Sequence, residues 1–245
     1  MNPWLSRRRA VDAPTVRLYC LPHSGGSAGE YLRWADAMPK VEVWGVNLPG
    51  RGARLDEPPA TTVAGLAEAI GREVPCAPPF VLFGHSLGGL LAYEVAQWLR
   101  AHGGEMPERL VLSGCAPPHL PRTAPRVSHL PDEQLLEQVA RSYGGIPVEV
   151  LRDPDLRALV VPPLRADLAA LERYAHPPHP PLPCPIVVLS GDRDGLTSLR
   201  LTEWDRHTTA GCRVRLLPGG HFYFREKPEA MMDVLADVLT EPSLR

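Results

Sequence analysis

The chain predicts an α/β protein, a mostly parallel central sheet flanked by helices on both faces. Three observations predict it. Short, near-continuous apolar runs such as Phe80-Val81-Leu82-Phe83 and Ile186-Val187-Val188-Leu189 read as strands buried on both sides. Segments with apolar residues three and four apart lie between them and read as covering helices. The length of 245 residues suits one such domain better than two.

The elements follow in order. Arg7-Arg8-Arg9 has no apolar segment behind it, so it reads as a basic tail over residues 1–14, expected to be disordered, and not as an export signal. Val16-Arg17-Leu18-Tyr19-Cys20-Leu21 is the first strand; Pro22 breaks it into His23-Ser24-Gly25-Gly26-Ser27. Residues 30–38 have helical spacing, and 41–47 form a β-rich run stopped by Pro49-Gly50-Arg51-Gly52. Thr61 or Thr62 can cap a helix through Glu73 with Val63, Leu66, Ala67 and Ile70 on one face.

The next strand runs into Gly84-His85-Ser86-Leu87-Gly88, and a helical pattern leaves it. This strand-turn-helix context is what G-x-S-x-G requires of a nucleophile elbow, with glycines where a side chain would strike the strand or the helix. Arg109-Leu110-Val111-Leu112-Ser113 is a further strand.

From there to Pro185 the pattern is helical only, at 132–143, 153–161 and 163–174, bordered by proline clusters. A helical insertion over about 117–184, between the nucleophile half and the acid and histidine half, is a lid by position. The strand ending at Ser190 is followed by Gly191-Asp192-Arg193-Asp194, the strand at 213–217 by Gly219-Gly220-His221, and residues 228–240 close the pattern as an amphipathic helix.

Net charge is −2 and charged residues make up 22 %, which argues against nucleic-acid binding and disorder. Five scattered cysteines without C-x-x-C spacing fit neither a disulfide framework nor a zinc site, and point to a reducing cytoplasm. His176 and His179 are spaced H-x-x-H but lie among prolines, a poor metal site. No apolar run is long enough for a membrane helix.

A serine hydroxyl needs a base to take its proton and a carboxylate to hold that base's tautomer. Ser86, Asp194 and His221 each follow a strand, in the order Ser…Asp…His of α/β-hydrolases. Asp192 competes for the acid's role; G-x-x-D, counted from Gly191, favours Asp194 and leaves Asp192 to cap the loop. The backbone amides of Ser24 and Leu87 are the expected oxyanion donors. Candidate substrate contacts are His23 and Phe222, on the loops of Ser24 and His221, and Leu168 and Leu171 on the lid. Arg51 and Arg54 read either as phosphate contacts or as a structural loop paired with Asp56 or Glu57, the latter being favoured.

Leu21-Pro22-His23-Ser24-Gly25-Gly26, Leu48-Pro49-Gly50-Arg51-Gly52-Ala53-Arg54, Gly84-His85-Ser86-Leu87-Gly88-Gly89, Pro162-Pro163-Leu164-Arg165-Ala166-Asp167, Gly191-Asp192-Arg193-Asp194 and Gly220-His221-Phe222-Tyr223 together resemble the type II thioesterases of polyketide and nonribosomal peptide pathways. The elbow alone is shared with lipases and esterases; the P-G-R-G-x-R loop and the L-R-A-D run discriminate. The resemblance implies a discrete α/β-hydrolase that removes stalled or unwanted acyl groups from the phosphopantetheine arms of acyl or peptidyl carrier proteins, with no metal and no organic cofactor. A monomer is expected. Carrier proteins are acidic, and Arg122, Arg126, Arg152, Arg157 and Arg165 of the insertion are candidates for a complementary face. A carboxylesterase, a lipase-like hydrolase, an excised cyclising thioesterase or an acyltransferase would use the same three side chains.

Overall fold

Among the described residues, 2–240, seven strands form one sheet in the computed structural model. In chain order the elements are β1 (Leu5–Arg7), β2 (Val16–Leu21), α1 (Gly29–Leu32), β3 (Val41–Val46), α2 (Val63–Glu73), β4 (Phe80–His85), α3 (Leu87–Ala101), β5 (Arg109–Ser113), α4 (Asp132–Tyr143), α5 (Val148–Arg152), α6 (Pro154–Arg173), β6 (Ile186–Gly191), α7 (Ser198–Thr202), β7 (Cys212–Leu217), α8 (Tyr223–Glu226) and α9 (Pro228–Thr240), with 3-10 turns at Arg33–Asp36, Gly52–Arg54 and Glu203–His207. The sheet order is β1-β3-β2-β4-β5-β6-β7, and every pairing except β1 with β3 is parallel.

This order positions the site. The chain leaves β2 for β3 on one side, then returns to place β4 on the other, so β2 and β4 flank the point where the crossovers reverse direction and their following loops part. Leu21 lies opposite Gly84, Ser113 opposite Leu189 and Gly191 opposite Leu217. The loops after β2, β4, β6 and β7 therefore open at one edge of the sheet.

Strand alternation divides the core. In β2, Leu18 and Cys20 pack with Tyr31, Trp34, Met231 and Leu235 on one face, while Tyr19 and Leu21 pack with α2 and α3 on the other. Thr62 caps α2, its hydroxyl accepting the Gly65 N–H at 3.1 Å. No helix among the described residues is long and apolar enough to cross a membrane.

Three expectations are corrected. The tail expected over 1–14 is, in its described residues 2–14, tied to the sheet: Leu5, Ser6 and Arg7 pair with Val46, Gly45 and Trp44, and Trp4 and Leu5 are buried. Arg7 donates to Glu42 at 2.5 Å, and Arg9 donates to the carbonyls of Ala35 and Met38. Two apolar side chains and two ion-paired or hydrogen-bonded arginines suffice to anchor the segment to the edge strand. Residues 153–161 and 163–174 are not two helices. They form one, α6, with Pro162 and Pro163 inside it. Asp153 caps its start, accepting the N–H groups of Asp155 and Leu156, and its apolar side chains span two cores, which together sustain the helix across the missing proline donors. Finally, α5 stands where no element was expected.

The segment between β5 and β6 has a core of its own, in which Val127, Leu135, Leu136, Val139, Val150, Val161 and Leu164 cluster. The C-terminal part of α6 leaves that cluster, and Ala170 and Leu171 pack into the main core instead.

Candidate active site

Ser86 sits between β4 and α3 with φ 54° and ψ −114°, a left-handed backbone costing a non-glycine residue roughly 1–3 kcal/mol. The crowding around it explains the neighbouring glycines. A Cβ on Gly84 would lie 1.9 Å from the Gly88 carbonyl oxygen, and one on Gly88 would lie 2.0 Å from that of Leu21. The end of β2 is thereby drawn against the first turn of α3, which brings the 22–27 turn beside the elbow. The Ser86 N–H donates to the Ser113 carbonyl at 2.8 Å, which holds the strained residue in place. The amide of Leu87 belongs to the first turn of α3, where N–H groups lack partners within the helix and the helix dipole favours negative charge.

The other two loops deliver a carboxylate and an imidazole. His221 Nδ1 donates to Asp194 Oδ1 at 2.6 Å, both side chains being buried, and Asp194 Oδ2 accepts from the Ser190 hydroxyl at 3.2 Å. A carboxylate only accepts, so Nδ1 carries the hydrogen and Nε2 is left with its lone pair. Asp192 turns elsewhere, accepting the Gly219 N–H at 2.9 Å and so tying the loop after β6 to the loop that bears His221.

Ser86, Asp194 and His221 line one cavity of about 570 Å³, together with Leu87, Tyr143 and Leu171. The ring of Tyr143, last residue of α4, lies 4.9 Å from that of His221, so the insertion reaches the histidine itself. Leu168 faces a neighbouring cavity of about 300 Å³ and packs on the insertion's core, so of the two leucines only Leu171 borders the space above Ser86. His23 and Phe222 do not line that space. Their rings pack edge-to-face 4.9 Å apart, and Arg225 covers the Phe222 ring at 4.0 Å.

Beneath the site runs a buried polar chain: His85 Nδ1 to the Ser113 hydroxyl at 2.8 Å, and that hydroxyl to Tyr223 at 2.7 Å. The His85 ring lies 4.6 Å from that of His221. Burial pushes the pKa of His85 well below its ordinary value, and burial with the nearby Arg225 takes His23 down to about 3, so both rings stay neutral beside His221. Arg54 pairs with Glu57 and lies 3.7 Å over the Trp4 ring, as expected of a structural loop. Arg51 takes a partner from further away. It forms a two-pronged pair with Asp167 of α6, at 2.5 and 2.8 Å, in which Asp167 is fully buried. Breaking one side of such a pair costs about 3–5 kcal/mol, because the partner's charge is left buried alone.

A family model described as the thioesterase domain matches residues 16–239. The chain belongs to the thioesterase family. The thioesterase PikA5 of Streptomyces venezuelae is 37 % identical over 96 % of this chain and 85 % of its own. Among solved structures, the type II thioesterase BorB from the borrelidin biosynthetic cluster superposes with a TM-score of 0.87 at 33 % identity, covering 97 % of this thioesterase and 98 % of BorB. RedJ, the thioesterase from the prodiginine pathway of Streptomyces coelicolor, gives 0.84 at 38 % identity, covering 94 % and 91 %. This thioesterase is thus of the type II class, with the α/β-hydrolase fold.

Sequence reasoning missed three features of the thioesterase's site. His85 was visible inside the elbow, but its link to Ser113 and Tyr223 joins three elements and has no local signature. Tyr143 ends a helix that reads as amphipathic surface. Arg51 and Asp167 each stand in a discriminating stretch, but 116 residues separate them, and only the fold pairs them.

Proposed function

We propose that this thioesterase hydrolyses stalled or aberrant acyl groups from the phosphopantetheine arms of carrier proteins in polyketide or nonribosomal peptide assembly, by way of an acyl-Ser86 intermediate. The observation that carries the reading is the Asp194–His221 pair on the same cavity as Ser86, in a chain similar to thioesterases of such pathways.

The geometry supports the following mechanism. His221 Nε2 takes the Ser86 proton as Oγ attacks the thioester carbonyl, and the oxyanion receives N–H donors from Leu87 and Ser24. Collapse breaks the carbon–sulfur bond, and the proton on His221 goes to the departing thiolate sulfur. Water then enters, His221 takes its proton, hydroxide adds to the acyl carbon, and cleavage of the ester returns the proton to Ser86 Oγ as the free acid leaves. Asp194 keeps Nε2 available and stabilises the imidazolium in both halves.

In this reading the helices at 117–184 act as a lid, and the acyl chain lies along Leu171 and Tyr143. The enzyme works as a cytoplasmic monomer, on acyl and peptidyl carrier proteins alike. The test is a panel in which one acyl group is presented on a carrier protein, on N-acetylcysteamine and on an alcohol. The carrier thioester is expected to have the highest kcat/KM, since contacts with the arm and carrier contribute binding that a truncated substrate lacks. Equal values for all three would remove the carrier from the proposal, and acyl transfer to an added alcohol or amine in place of free acid would replace hydrolysis.

A further inference from the structure

We infer that Asp167, on the insertion helix α6, is a positioning residue for the turn that supplies the Ser24 oxyanion donor, so that the seating of the insertion sets how well Ser86 reacts. The inference rests on the acyl-serine reading above.

Asp167 holds the turn directly. Its Oδ2 accepts the Gly25 N–H at 2.8 Å, and the same carboxylate is clamped by both terminal nitrogens of Arg51. Asp167 is fully buried and Arg51 is 6 % exposed, and the Arg51 Nε is buried without a partner, so the guanidinium is committed to this one carboxylate. One helical turn back on the same face of α6, Leu164 closes on the turn from the other side. Gly25 has φ +72°, and a Cβ there would lie 3.1 Å from the Leu164 Cβ. Inside the turn, the Gly26 N–H donates to the His23 carbonyl at 2.9 Å.

Ser24, inside that turn, is therefore fixed by a short internal hydrogen bond and by two side chains of α6. Gly25 N–H lies one peptide unit after the Ser24 N–H, and releasing it frees the rotation about Ser24 that aims the donor. An apolar contact would hold the turn near α6. A bidentate carboxylate–guanidinium pair also fixes direction, which an oxyanion donor requires. When α6 shifts, Asp167 and Leu164 leave the turn together.

The test compares two paired variants, each free of the buried charges. Arg51→Gln with Asp167→Asn retains an oxygen acceptor for the Gly25 N–H; Arg51→Leu with Asp167→Leu removes it. Active sites are titrated with a fluorophosphonate. The kcat and KM on an acyl-N-acetylcysteamine are then measured per active site, with the affinity for an alkylboronic acid, whose tetrahedral adduct on Ser86 places an oxygen where the oxyanion forms. The leucine pair is expected to lose about 100-fold in kcat and a similar factor in boronate affinity, with KM changed less than about threefold, and the amide pair to lose about tenfold or less in both.

Arg51→Lys, which keeps the charges balanced but not the fork, is the second arm should the leucine pair fail to fold. Its kcat and boronate affinity are expected to fall together by about tenfold at unchanged KM. Wild-type kcat and boronate affinity per titrated site in the leucine pair, or in Arg51→Lys, would reduce Asp167 to a fold staple. Undiminished turnover by Ser86→Ala would instead remove the acyl-serine reading, and this inference with it.

Discussion

Asp194 Oδ1 accepts the hydrogen of His221 Nδ1 at 2.6 Å, while Asp192, two residues earlier on the same loop, accepts the backbone N–H of Gly219 at 2.9 Å. The two aspartates thus divide the work of one turn: one orients the imidazole, the other ties together the loops that carry it. Asp194→Asn places a donor where His221 needs an acceptor and so favours the wrong tautomer. It is expected to lower kcat by about 10⁴, and Asp192→Asn by far less, since Gly219 can still donate to the amide oxygen. Steady-state kcat for the two variants checks this; a more damaged Asp192→Asn would reverse the assignment.

Ser86→Ala removes the proposed nucleophile and leaves the elbow's crowding to Gly84 and Gly88. Turnover is expected to fall by several orders of magnitude with the thermal midpoint nearly unchanged, because alanine meets the same backbone strain as serine. Active, well-folded Ser86→Ala would rule out a covalent route.

Leu171 borders the cavity above Ser86, and Leu168 borders its neighbour. Leu171→Ala is expected to shift preference across a series of acyl lengths by about 10-fold, the worth of a methylene or two in an apolar pocket. Leu168→Ala should lower stability with little change in relative rates. A reversed pattern would move the acyl chain into the smaller cavity.

Four histidines gather where the insertion meets the main domain. His207 Nε2 lies 2.7 Å from His119 Nδ1, its Nδ1 lies 3.0 Å from the Tyr93 hydroxyl, and its ring is 5.3 Å from that of His176; His179 meets Glu94 at 3.2 Å. Burial, then the charges of His119, His176, His179 and Arg206, take the His207 pKa from 6.5 down to about 4. The folded state therefore binds this proton more weakly than the unfolded chain. The stability it contributes is complete above about pH 6.5 and is lost as pH falls toward about 4. His207→Gln, with no such proton, is expected to lose thermal midpoint less steeply over that window, while His23 and His85 still contribute. Parallel curves for the two proteins would exclude His207 as a source.

Of the five insertion arginines, Arg157 pairs with Glu133 and Arg165 with Asp132 and the carbonyls of Ser128 and Leu130, so both brace the insertion itself. Arg126 and Arg152 are exposed and outside those pairs. Arg126→Glu with Arg152→Glu is expected to lower kcat/KM for an acyl-carrier substrate by about 10-fold and to flatten its salt dependence, leaving the N-acetylcysteamine thioester unaffected. An equal loss on both substrates would place these arginines in the fold and not at the carrier.

Much of this molecule is legible locally. β2, α2, β5, α4 and α9 fall where apolar period and turn residues place them, because each buries a face that its own sequence defines. The elbow reads from one hexapeptide, since only glycine fits where strand, helix and the end of β2 cross. Local reading failed where a neighbour decides. Leu5, Ser6 and Arg7 become a strand only because the edge of β3 is there to receive them, and α6 runs through Pro162 and Pro163 because its middle and its C-terminal end are anchored in different cores.

The sequence alone determined the order Ser86, Asp194, His221 and the loops that bear them, since each is marked by the strand before it. The acid was already favoured as Asp194 by its place in G-x-x-D; only the tertiary structure moved Leu168, His23 and Phe222 out of the cavity and joined Arg51 to Asp167. Those are contacts between segments far apart in the chain. Their geometry comes from sheet register and helix packing, to which no single stretch of residues has access.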